Sequence, residues 1–197
     1  MEAITVKWAD GKPRCRWADP NNERYLRYHD QEWGVPVHDD QKLFEMLILE
    51  SFQAGLSWAC VLNKRDAFRQ AFDLDAVCAY KEDKLAALAQ DPGIIRNRRK
   101  IQAAVNNAQV FREIQGEWGS FSRYLWHWTD GQVIHEAGPS SSPLSDAVSK
   151  DLKRRGMTFV GTTIIYAYLQ AVGVIYAHEA GCFLAQTEPC SSGAGTA

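Results

Sequence analysis

Apolar residues recur at helical spacing through most of this 197-residue chain, and this feature constrains its fold more than any other. The clearest case runs from Leu43 to about Gln53, where Asp39 or Asp40 can cap the helix start and Gly55 can end it. Alternation of period two, which would indicate half-buried strands, is not sustained anywhere. The sequence therefore predicts an all-α fold.

The same spacing predicts further helices over residues 58–72, 81–90, 95–115, 142–155 and 161–178, joined by turns rich in glycine, proline and serine. The aromatic stretch 118–128 is not assigned by this criterion. We expect residues 14–184 to form one unit. A flexible extension over 1–13 would precede it, and a disordered tail over 185–197 would follow it.

Composition narrows the class of protein. With 46% apolar and 23% charged residues, the chain can bury one sizeable core. No continuous hydrophobic run opens the sequence, and the longest apolar tract is interrupted by Thr162, Thr163 and Gln170, so we expect neither a signal peptide nor a membrane span. A net charge of −2 argues against a protein that coats DNA non-specifically, although a local basic patch is compatible with it.

A turn at residues 91–93 lies between two predicted helices and is followed by a basic run. Unpaired backbone N–H groups at the start of the second helix, together with its dipole, could bind a phosphate. Cationic side chains after the turn would add salt-sensitive contacts. The candidates for DNA contact are Gly93, Arg96, Arg98 and Lys100. The alternative is an ordinary turn between helices with solvated basic side chains.

Glu50 lies on the apolar face of the predicted helix that ends near Gln53. A buried carboxylate costs free energy unless it has a partner or a ligand. Flat rings around one buried acceptor suit a flipped purine, because the rings stack on its faces while the carboxylate accepts from an edge amine. The nearby aromatic residues are Trp17, Tyr25, Tyr28, Trp33 and Trp58. The alternatives are a Glu50 that caps a helix or pairs with an arginine, and aromatics that belong to the core.

His178 and Cys182 are spaced i, i+4, which would place both on one face of a helical turn as two ligands of a tetrahedral zinc. Cys15 and His29, near the other end of the chain, could complete a closed Cys2His2 site. An odd number of cysteines, five, in an expected reducing compartment argues against a disulfide framework. Plain burial of the cysteines, beside hydrogen-bonded histidines, is the alternative.

Several of these residues belong to longer motifs, and through these motifs the chain resembles the bacterial 3-methyladenine DNA glycosylase I family. The resemblance runs from about Arg14 to Cys182, and its most specific part lies between Tyr28 and Trp58. The motifs are Tyr28-His29-Asp30, Glu32-Trp33-Gly34-Val35-Pro36, Leu43-Phe44-Glu45-Met46, Leu49-Glu50, Gln53-Ala54-Gly55-Leu56-Ser57-Trp58 and Phe159-Val160-Gly161-Thr162-Thr163.

The resemblance implies a helix-hairpin-helix glycosylase fold, with the hairpin unit near 84–115 and one structural zinc ion joining the N- and C-terminal segments. The zinc-ligand motif of the family matches Cys15, His29, His178 and Cys182. The base pocket of the family maps onto Trp17, Tyr28, Glu50 and Trp58, with Tyr25 and Trp33 nearby. Leu56 matches the segment that enters the DNA at the lesion.

The implied activity is excision of 3-methyladenine from alkylated double-stranded DNA, with release of the free base. We expect a cytoplasmic bacterial protein that acts as a monomer. Strand cleavage is not expected, because bifunctional relatives have a nucleophilic lysine where this chain has Arg96, and Lys100 comes only later. Many relatives also carry a catalytic aspartate after the hairpin, but none occurs here between Asp91 and Asp130. Glu50 is the candidate catalytic residue.

Methylation at N3 leaves adenine cationic, so the base can depart neutral without being protonated. We expect an ionised Glu50 to accept from the adenine amine and to repel a guanine carbonyl, while water attacks the sugar carbon. One rival interpretation is a module that senses lesions without cleaving, which the retention of Glu50 and the aromatics disfavours. Another is a zinc-stabilised helical protein with a small-molecule pocket, which the basic run after the turn disfavours.

Overall fold

The computed structural model describes residues 8–136 and 138–185. It consists mostly of helices, in the order α1 (Glu23–Gln31), α2 (Asp40–Gln53), α3 (Trp58–Leu62), α4 (Arg65–Ala71), α5 (Leu74–Val77), α6 (Glu82–Leu88), α7 (Arg98–Trp118), α8 (Phe121–Trp126), α9 (Pro143–Arg154) and α10 (Thr162–Ala171). A short 3-10 helix, His127–Thr129, follows α8. Two strands, β1 (Ile134–His135) and β2 (Ile175–Tyr176), complete the described elements.

Helix α2 is the centre of the core. It packs against α3, α4, α5, α7, α8 and α10. All of its residues from Met46 to Phe52 are buried, so both its apolar stripe and its opposite face are covered. A helix that is covered on every side carries any polar residue on it into the interior. Glu50 is such a residue, and it is buried with its neighbours.

The predicted ends of two helices are confirmed. Asp39 caps α2 by accepting a hydrogen bond from the Lys42 N–H at 2.8 Å, and Gly55 follows the helix with a φ of +79°. Ser142 caps α9 through reciprocal hydrogen bonds with Ser145, and Pro143 is the first helical residue. Side-chain oxygens satisfy the N–H groups that a helix start leaves unpaired, which is why these residues mark the boundaries.

The helix predicted over 58–72 is wrong in one respect, because the chain forms two helices there. Lys64 leaves the helical conformation, with φ −103° and ψ 4°, and its ammonium donates to the carbonyl of Pro92 at 2.6 Å. Helices α1, α5 and α8 were not predicted. Each begins at a polar cap, such as Asn22 before α1, but has nine residues or fewer, which is too short for an apolar period to be recognised in the sequence.

The prediction of a helix over 161–178 is also wrong at its end, and the all-α prediction needs a small correction with it. Helix α10 stops at Ala171, and Gly173 turns the chain with a φ of +72°. β2 then pairs in parallel with β1, with Ile134 opposite Ile175. The turn brings the residues after β2 toward the N-terminal segment.

Gly173 also lies against the backbone of the segment after α1. The N–H of Val37 donates to Val172 at 3.0 Å, and the N–H of Gly34 donates to Gln170 at 3.0 Å. A Cβ added to Gly173 would meet backbone atoms of Val35 and Pro36 at 2.3–2.5 Å. Only glycine fits this close approach at a positive φ.

No helix among the described residues combines the length and the apolar character that crossing a bilayer would require. Residues 1–7 of the predicted extension and the predicted tail beyond Ala185 lie outside the described residues.

We expect Gly173→Ala to destabilise the fold by about 2 kcal/mol or more, because the methyl group both clashes with backbone and occupies a left-handed conformation. Thermal unfolding measures the loss. Gly116→Ala is the control, since Gly116 is exposed within α7 with nothing within 4 Å of an added Cβ. That change should stabilise the protein by up to about 1 kcal/mol. Equal melting temperatures for the two variants would contradict the close approach.

Candidate functional site

A cavity of about 230 Å³ opens beside Glu50. This is smaller than the roughly 300–1000 Å³ typical of pockets for drug-sized molecules, and it suits a compact flat ligand. All six residues predicted to bind the base line it, together with three that the sequence did not indicate. The lining residues are Trp17, Tyr25, Tyr28, Trp33, Glu50, Gln53, Trp58, Ala167 and Gln170.

Glu50 supplies the only carboxylate among these lining residues. Its side chain is 4% exposed, and no hydrogen bond or ion pair to it is found within 8–136 and 138–185. Burial raises the pKa of Glu50 to about 8. Neither structural alternative, a helix cap or an arginine partner, is therefore seen in the described part of the chain. The carboxylate is left without a partner at the wall of a cavity.

The aromatic side chains that form the walls of the cavity pack against one another at steep angles. The rings of Trp17 and Trp33 have centroids 4.8 Å apart at 71°, and those of Tyr28 and Trp58 are 5.1 Å apart at 49°. Tyr25 meets Trp17 edge-on, with centroids 5.6 Å apart. Edge-to-face packing is favourable between aromatic rings, and it fixes their orientation. The cavity therefore has stiff flat walls against which a planar ligand can stack.

Gln53, Ala167 and Gln170 are the pocket residues that sequence reasoning missed. Gln53 lies almost one turn after Glu50 on α2, and this spacing could have indicated it. Ala167 and Gln170 come from α10, which packs against α2. Nothing in the local sequence of α10 indicates that contact. The indole N–H of Trp58 is buried, and it has no hydrogen-bond partner in the part of the chain that the structure describes.

The four predicted metal ligands converge in a second site. The ligand atoms of Cys15, His29, His178 and Cys182 all lie within 4.8 Å of one another, and all four residues are buried. Each thiol sulfur is 3.5 Å from a histidine nitrogen. Sulfur and nitrogen ligands of a tetrahedral zinc are expected to lie roughly 3.6 Å apart, given the usual bond lengths. The cluster could therefore hold a metal ion.

Groups around the cluster orient its histidines. Nδ1 of His29 is 2.8 Å from Asp30, whose carboxylate accepts two hydrogen bonds from Arg14 at 2.7 Å. Nε2 of His178 is 3.3 Å from the carbonyl of Trp33. A carboxylate or carbonyl on the outer nitrogen is the usual arrangement around a metal-binding histidine. It leaves Nε2 of His29 and Nδ1 of His178 directed at the sulfur atoms.

Burial sets the protonation states of this cluster. It raises the pKa of Cys15 to about 12 and lowers the pKa of His178 to about 4. The imidazole of His178 is therefore neutral, which is the form that binds a metal, while the thiols must lose their protons on binding one.

The sequence prediction of a helical turn from His178 to Cys182 is wrong. These residues follow β2 and form a non-helical turn, in which the N–H of Cys182 donates to Glu179 at 2.8 Å. The two ligands still converge, because the turn folds the chain back on itself. The i, i+4 spacing therefore indicated two residues that do belong to the cluster, although they do not lie on a helical turn as the spacing implied.

The cluster and the cavity share a wall. Trp17 lies 5.1 Å from His29, and Trp33 lies 4.7 Å from His178, measured between ring centroids. Both tryptophans line the cavity beside Glu50. Displacement of the histidines would therefore move two walls of the pocket.

The residues predicted to contact DNA are found in different settings. Leu56 is 38% exposed on the loop after α2, an unusual position for a large apolar side chain. Arg96 is exposed in the turn between α6 and α7, and Arg98 is exposed but paired with Glu82. The N–H of Gly93 donates to Asp91 at 2.7 Å, so it is not free for a phosphate as predicted.

The clearest difference from the predicted DNA contacts concerns Lys100. Its side chain is buried, and its ammonium donates to the carbonyls of Phe52 at 2.8 Å and Ala54 at 2.6 Å. The first turn of α7 faces the end of α2 at this point, so the lysine is directed inward. It is not available to a phosphate on the surface.

Comparison with known proteins agrees with this geometry. The model of the methyladenine glycosylase family matches residues 17–185. DNA-3-methyladenine glycosylase 1 of Escherichia coli (strain K12) is 44% identical over 179 residues, which cover 86% of this chain and 95% of that protein.

Two solved structures have the same fold. A crystal structure of 3-methyladenine DNA glycosylase I is 44% identical, with a TM-score of 0.83, and the match covers 87% of this chain and 99% of that one. A tyrosine-to-phenylalanine variant of a 3-methyladenine DNA glycosylase I, in complex with 3-methyladenine, is 32% identical, with a TM-score of 0.82 over 86% of this chain and 95% of that one.

The raised pKa of Glu50 predicts how stability depends on pH. Between the ordinary value of 4.5 and about 8, the folded protein holds a proton that the unfolded chain has lost. The free energy of unfolding that Glu50 contributes is therefore fully present below about pH 4.5 and is lost as the pH rises through about 8. Glu50→Gln cannot lose this contribution, because an amide does not titrate.

We expect Glu50→Gln to be more stable than wild type by several kcal/mol at pH 8.5, and by less at pH 5.5. Urea unfolding of both proteins at the two pH values measures the difference. Glu113→Gln, the same change at an exposed position of α7, should show no such pH dependence. A wild-type-to-variant difference that is constant with pH would show that the carboxyl group of Glu50 titrates normally.

Proposed function

Since the chain belongs to the methyladenine glycosylase family, we propose that it excises 3-methyladenine from alkylated double-stranded DNA by flipping the damaged base into the cavity beside Glu50. It is an enzyme of the class that hydrolyses N-glycosyl bonds. The observation that carries the proposal is the buried, unpartnered carboxylate of Glu50 in a cavity with aromatic walls. A flipped base leaves the duplex stack and needs both stacking surfaces and an edge partner.

Glu50 selects the lesion by its charge. In the empty cavity the carboxyl group is mostly protonated at neutral pH, because burial raises its pKa to about 8. A cationic 3-methyladenine favours the carboxylate form, since a nearby opposite charge lowers the pKa of an acid. Neutral adenine provides no such charge. The carboxylate then accepts from the amine of the lesion.

The same group discriminates against guanine lesions. A carbonyl oxygen in place of the adenine amine would meet the carboxylate acceptor to acceptor, and a buried polar group without its partner costs roughly 1–3 kcal/mol. The flat walls formed by Tyr28, Trp58 and Trp17 hold the base in the plane that presents this edge to Glu50. Orientation and edge recognition thus act together.

The chemical step needs no acid to protonate the base, because the methylated base leaves neutral. As the glycosidic bond breaks, positive charge moves from the base to the sugar, and water attacks the sugar carbon. The base loses its charge, so its attraction to the carboxylate weakens and Glu50 takes up a proton again, which balances the proton that the attacking water gives up as it becomes the sugar hydroxyl. This change favours release of the free base.

The reaction stops at base excision, without cleavage of the strand. Strand cleavage by related enzymes uses a lysine amine that attacks the sugar. None of the residues that line the cavity is a lysine. Lys100, the cationic amine nearest in sequence to the turn after α6, is engaged with two backbone carbonyls. These observations support a monofunctional glycosylase.

The DNA is gripped beside the cavity. Leu56 is exposed on the loop between Glu50 and Trp58, where it can fill the gap that a flipped base leaves in the stack. Arg96 and Arg98 lie at the surface of the turn and the start of α7, as required of residues that bind phosphates. The two arginines belong to the unit formed by α6, the turn after it and α7, which we take to act as a helix-hairpin-helix. We take the acting species to be a monomer.

One structural zinc ion completes the protein. Cys15, His29, His178 and Cys182 would hold it, and their mutual distances fit a tetrahedral ion with no open position. Bound there, the ion would tie the segment before α1 to the segment after β2. It would supply stability and a fixed position for Trp17 and Trp33.

We expect Glu50→Gln to reduce release of 3-methyladenine from methylated duplex DNA by roughly a hundredfold, because the amide cannot adopt the charged form that the lesion favours. Chromatographic analysis of the released bases measures the loss, with Glu113→Gln as the control for the same change at the surface. Release by Glu50→Gln at the wild-type rate would refute the assigned role. If wild type binds DNA but releases no base, a lesion-sensing protein is the better interpretation.

We expect wild type to contain one zinc ion per chain by elemental analysis, and Cys182→Ser to contain much less. The variant should melt at least about 10 °C lower, since about 3 kcal/mol corresponds to such a shift in a chain of this size. Cys60→Ser is the control, because Cys60 is exposed and outside the cluster. A chelator should lower the melting temperature of wild type but not that of Cys182→Ser. If chelation leaves wild type unchanged, the cluster is not a zinc site.

A further inference from the structure

Lys100 carries a buried charge that the proposed reaction does not use. The side chain is 7% exposed at the start of α7. Its ammonium donates to the carbonyls of Phe52 and Ala54, and it lies 5.9 Å from the centre of the Phe159 ring. No carboxylate pairs with it among the described residues.

Burial of an ammonium group without a partner carboxylate costs free energy. An isolated buried charge loses its hydration, and two carbonyls and an aromatic ring restore only part of that free energy. A methionine of similar length would fill the same volume with no such cost. The contacts that the ammonium makes must therefore explain why a charged residue occupies this position.

What Lys100 holds is the end of α2. Phe52 is the next-to-last residue of the helix and Ala54 is its C-cap, so the ammonium lies where the helix dipole is negative and the carbonyls lack helical partners. Leu56 follows two residues later. The Gln53 amide donates to the Leu56 carbonyl at 3.0 Å, and the Leu56 N–H donates to the Gln53 carbonyl at 2.7 Å.

The loop over residues 54–57 is thus fixed at both ends by named hydrogen bonds, while its central side chain, Leu56, is 38% exposed. One end is attached to α2 through Gln53. The other leads directly into α3, where Ser57 caps the helix and Trp58 lines the cavity. Among the hydrogen bonds of the described residues, that of Lys100 to the Ala54 carbonyl connects this loop to α7, the helix that follows the turn with Arg96.

We propose that Lys100 is a positioning residue. By donating hydrogen bonds to the carbonyls of Phe52 and Ala54, it fixes the loop in the position from which Leu56 can enter the duplex. It also connects that loop to the turn before α7, which binds the DNA backbone. The inference rests on the proposed function, since it assigns Leu56 a place in DNA. Lys100 acts from inside the protein and does not contact a phosphate.

The test compares wild type with Lys100→Met, Lys100→Arg and Lys150→Met. Lys150 is exposed on α9, so its replacement is the matched control for loss of one lysine charge. Four quantities are measured for each protein: single-turnover release of 3-methyladenine from methylated duplex, affinity for free 3-methyladenine by tryptophan fluorescence, the salt dependence of binding to undamaged duplex, and the melting temperature.

We expect Lys100→Met to release base from duplex at least about tenfold more slowly at saturating enzyme, because a small displacement of the loop misplaces Leu56. Affinity for free 3-methyladenine should stay at the wild-type value, since the free base needs no wedge. The salt dependence of DNA binding should also stay unchanged. Lys100→Arg, which keeps a donor for the two carbonyls, should recover part of the rate, and Lys150→Met should match wild type throughout.

Combining Lys100→Met with Leu56→Ala tests whether Lys100 affects the release rate through Leu56. If Lys100 acts through Leu56, its replacement should slow a protein that already lacks the leucine much less than it slows wild type. Additive losses in the double variant would show that Lys100 acts independently of Leu56 and would overturn the proposal.

Other outcomes overturn it as clearly. An unchanged release rate in Lys100→Met shows that the clamp is not needed. A drop of about 1 in the logarithmic salt slope shows a direct phosphate contact. Equal losses of release and free-base affinity, with a lower melting temperature and no recovery by Lys100→Arg, show a purely structural role. If wild type itself releases no base, the proposed function fails and this inference fails with it.

Discussion

The burial of α2 on all sides between Met46 and Phe52 is the constraint on which the rest of this structure depends. Six other helices pack on α2, and every residue from Met46 to Phe52 is buried, so this part of the helix leaves no face open to solvent. Glu50 is carried into the interior by this packing, and its side chain lines the cavity between α1, α2, α3 and α10. The raised pKa of Glu50 follows from that position. The chemistry of the site is therefore a consequence of how the core is assembled.

The Cys and His cluster brings the two ends of the described chain together beside the same cavity. His29 belongs to α1 and His178 follows β2, yet each lies against a tryptophan of the cavity wall. Gly173 makes the approach possible, because its turn sends the chain from α10 back toward Trp33 and the segment after it. Stability and recognition share the same side chains here. A loosened cluster would widen the cavity as well as weaken the fold.

Local signals in the sequence predicted α2 and α9 well, because Asp39, Ser142 and Gly55 act on their immediate neighbours. The six residues predicted to bind the base also proved to line one cavity, although the aromatics alone would equally suit a core. Gln170 was not predictable, since it joins Glu50 only through the packing of α10 on α2. Lys100 was misread for the same reason: a lysine in a basic run suggests solvent, and nothing local reveals that α2 ends in front of it.

Two buried ionisable groups without an ion-pair partner in the described chain, Glu50 on α2 and Lys100 on α7, lie near the C-terminal end of α2. No ion pair joins Glu50 to Lys100 among the described residues, and the ammonium of Lys100 donates instead to the carbonyls of Phe52 and Ala54. An ion pair would lower the pKa of Glu50 and satisfy the carboxylate in the absence of any ligand. Without such a pair, burial raises the pKa of Glu50 to about 8, which costs stability at high pH but leaves the carboxyl group without a partner inside the protein. Lys100 donates to the carbonyl of Ala54, where the loop that exposes Leu56 begins, so the end of α2 combines an unpartnered carboxyl group with an anchored loop.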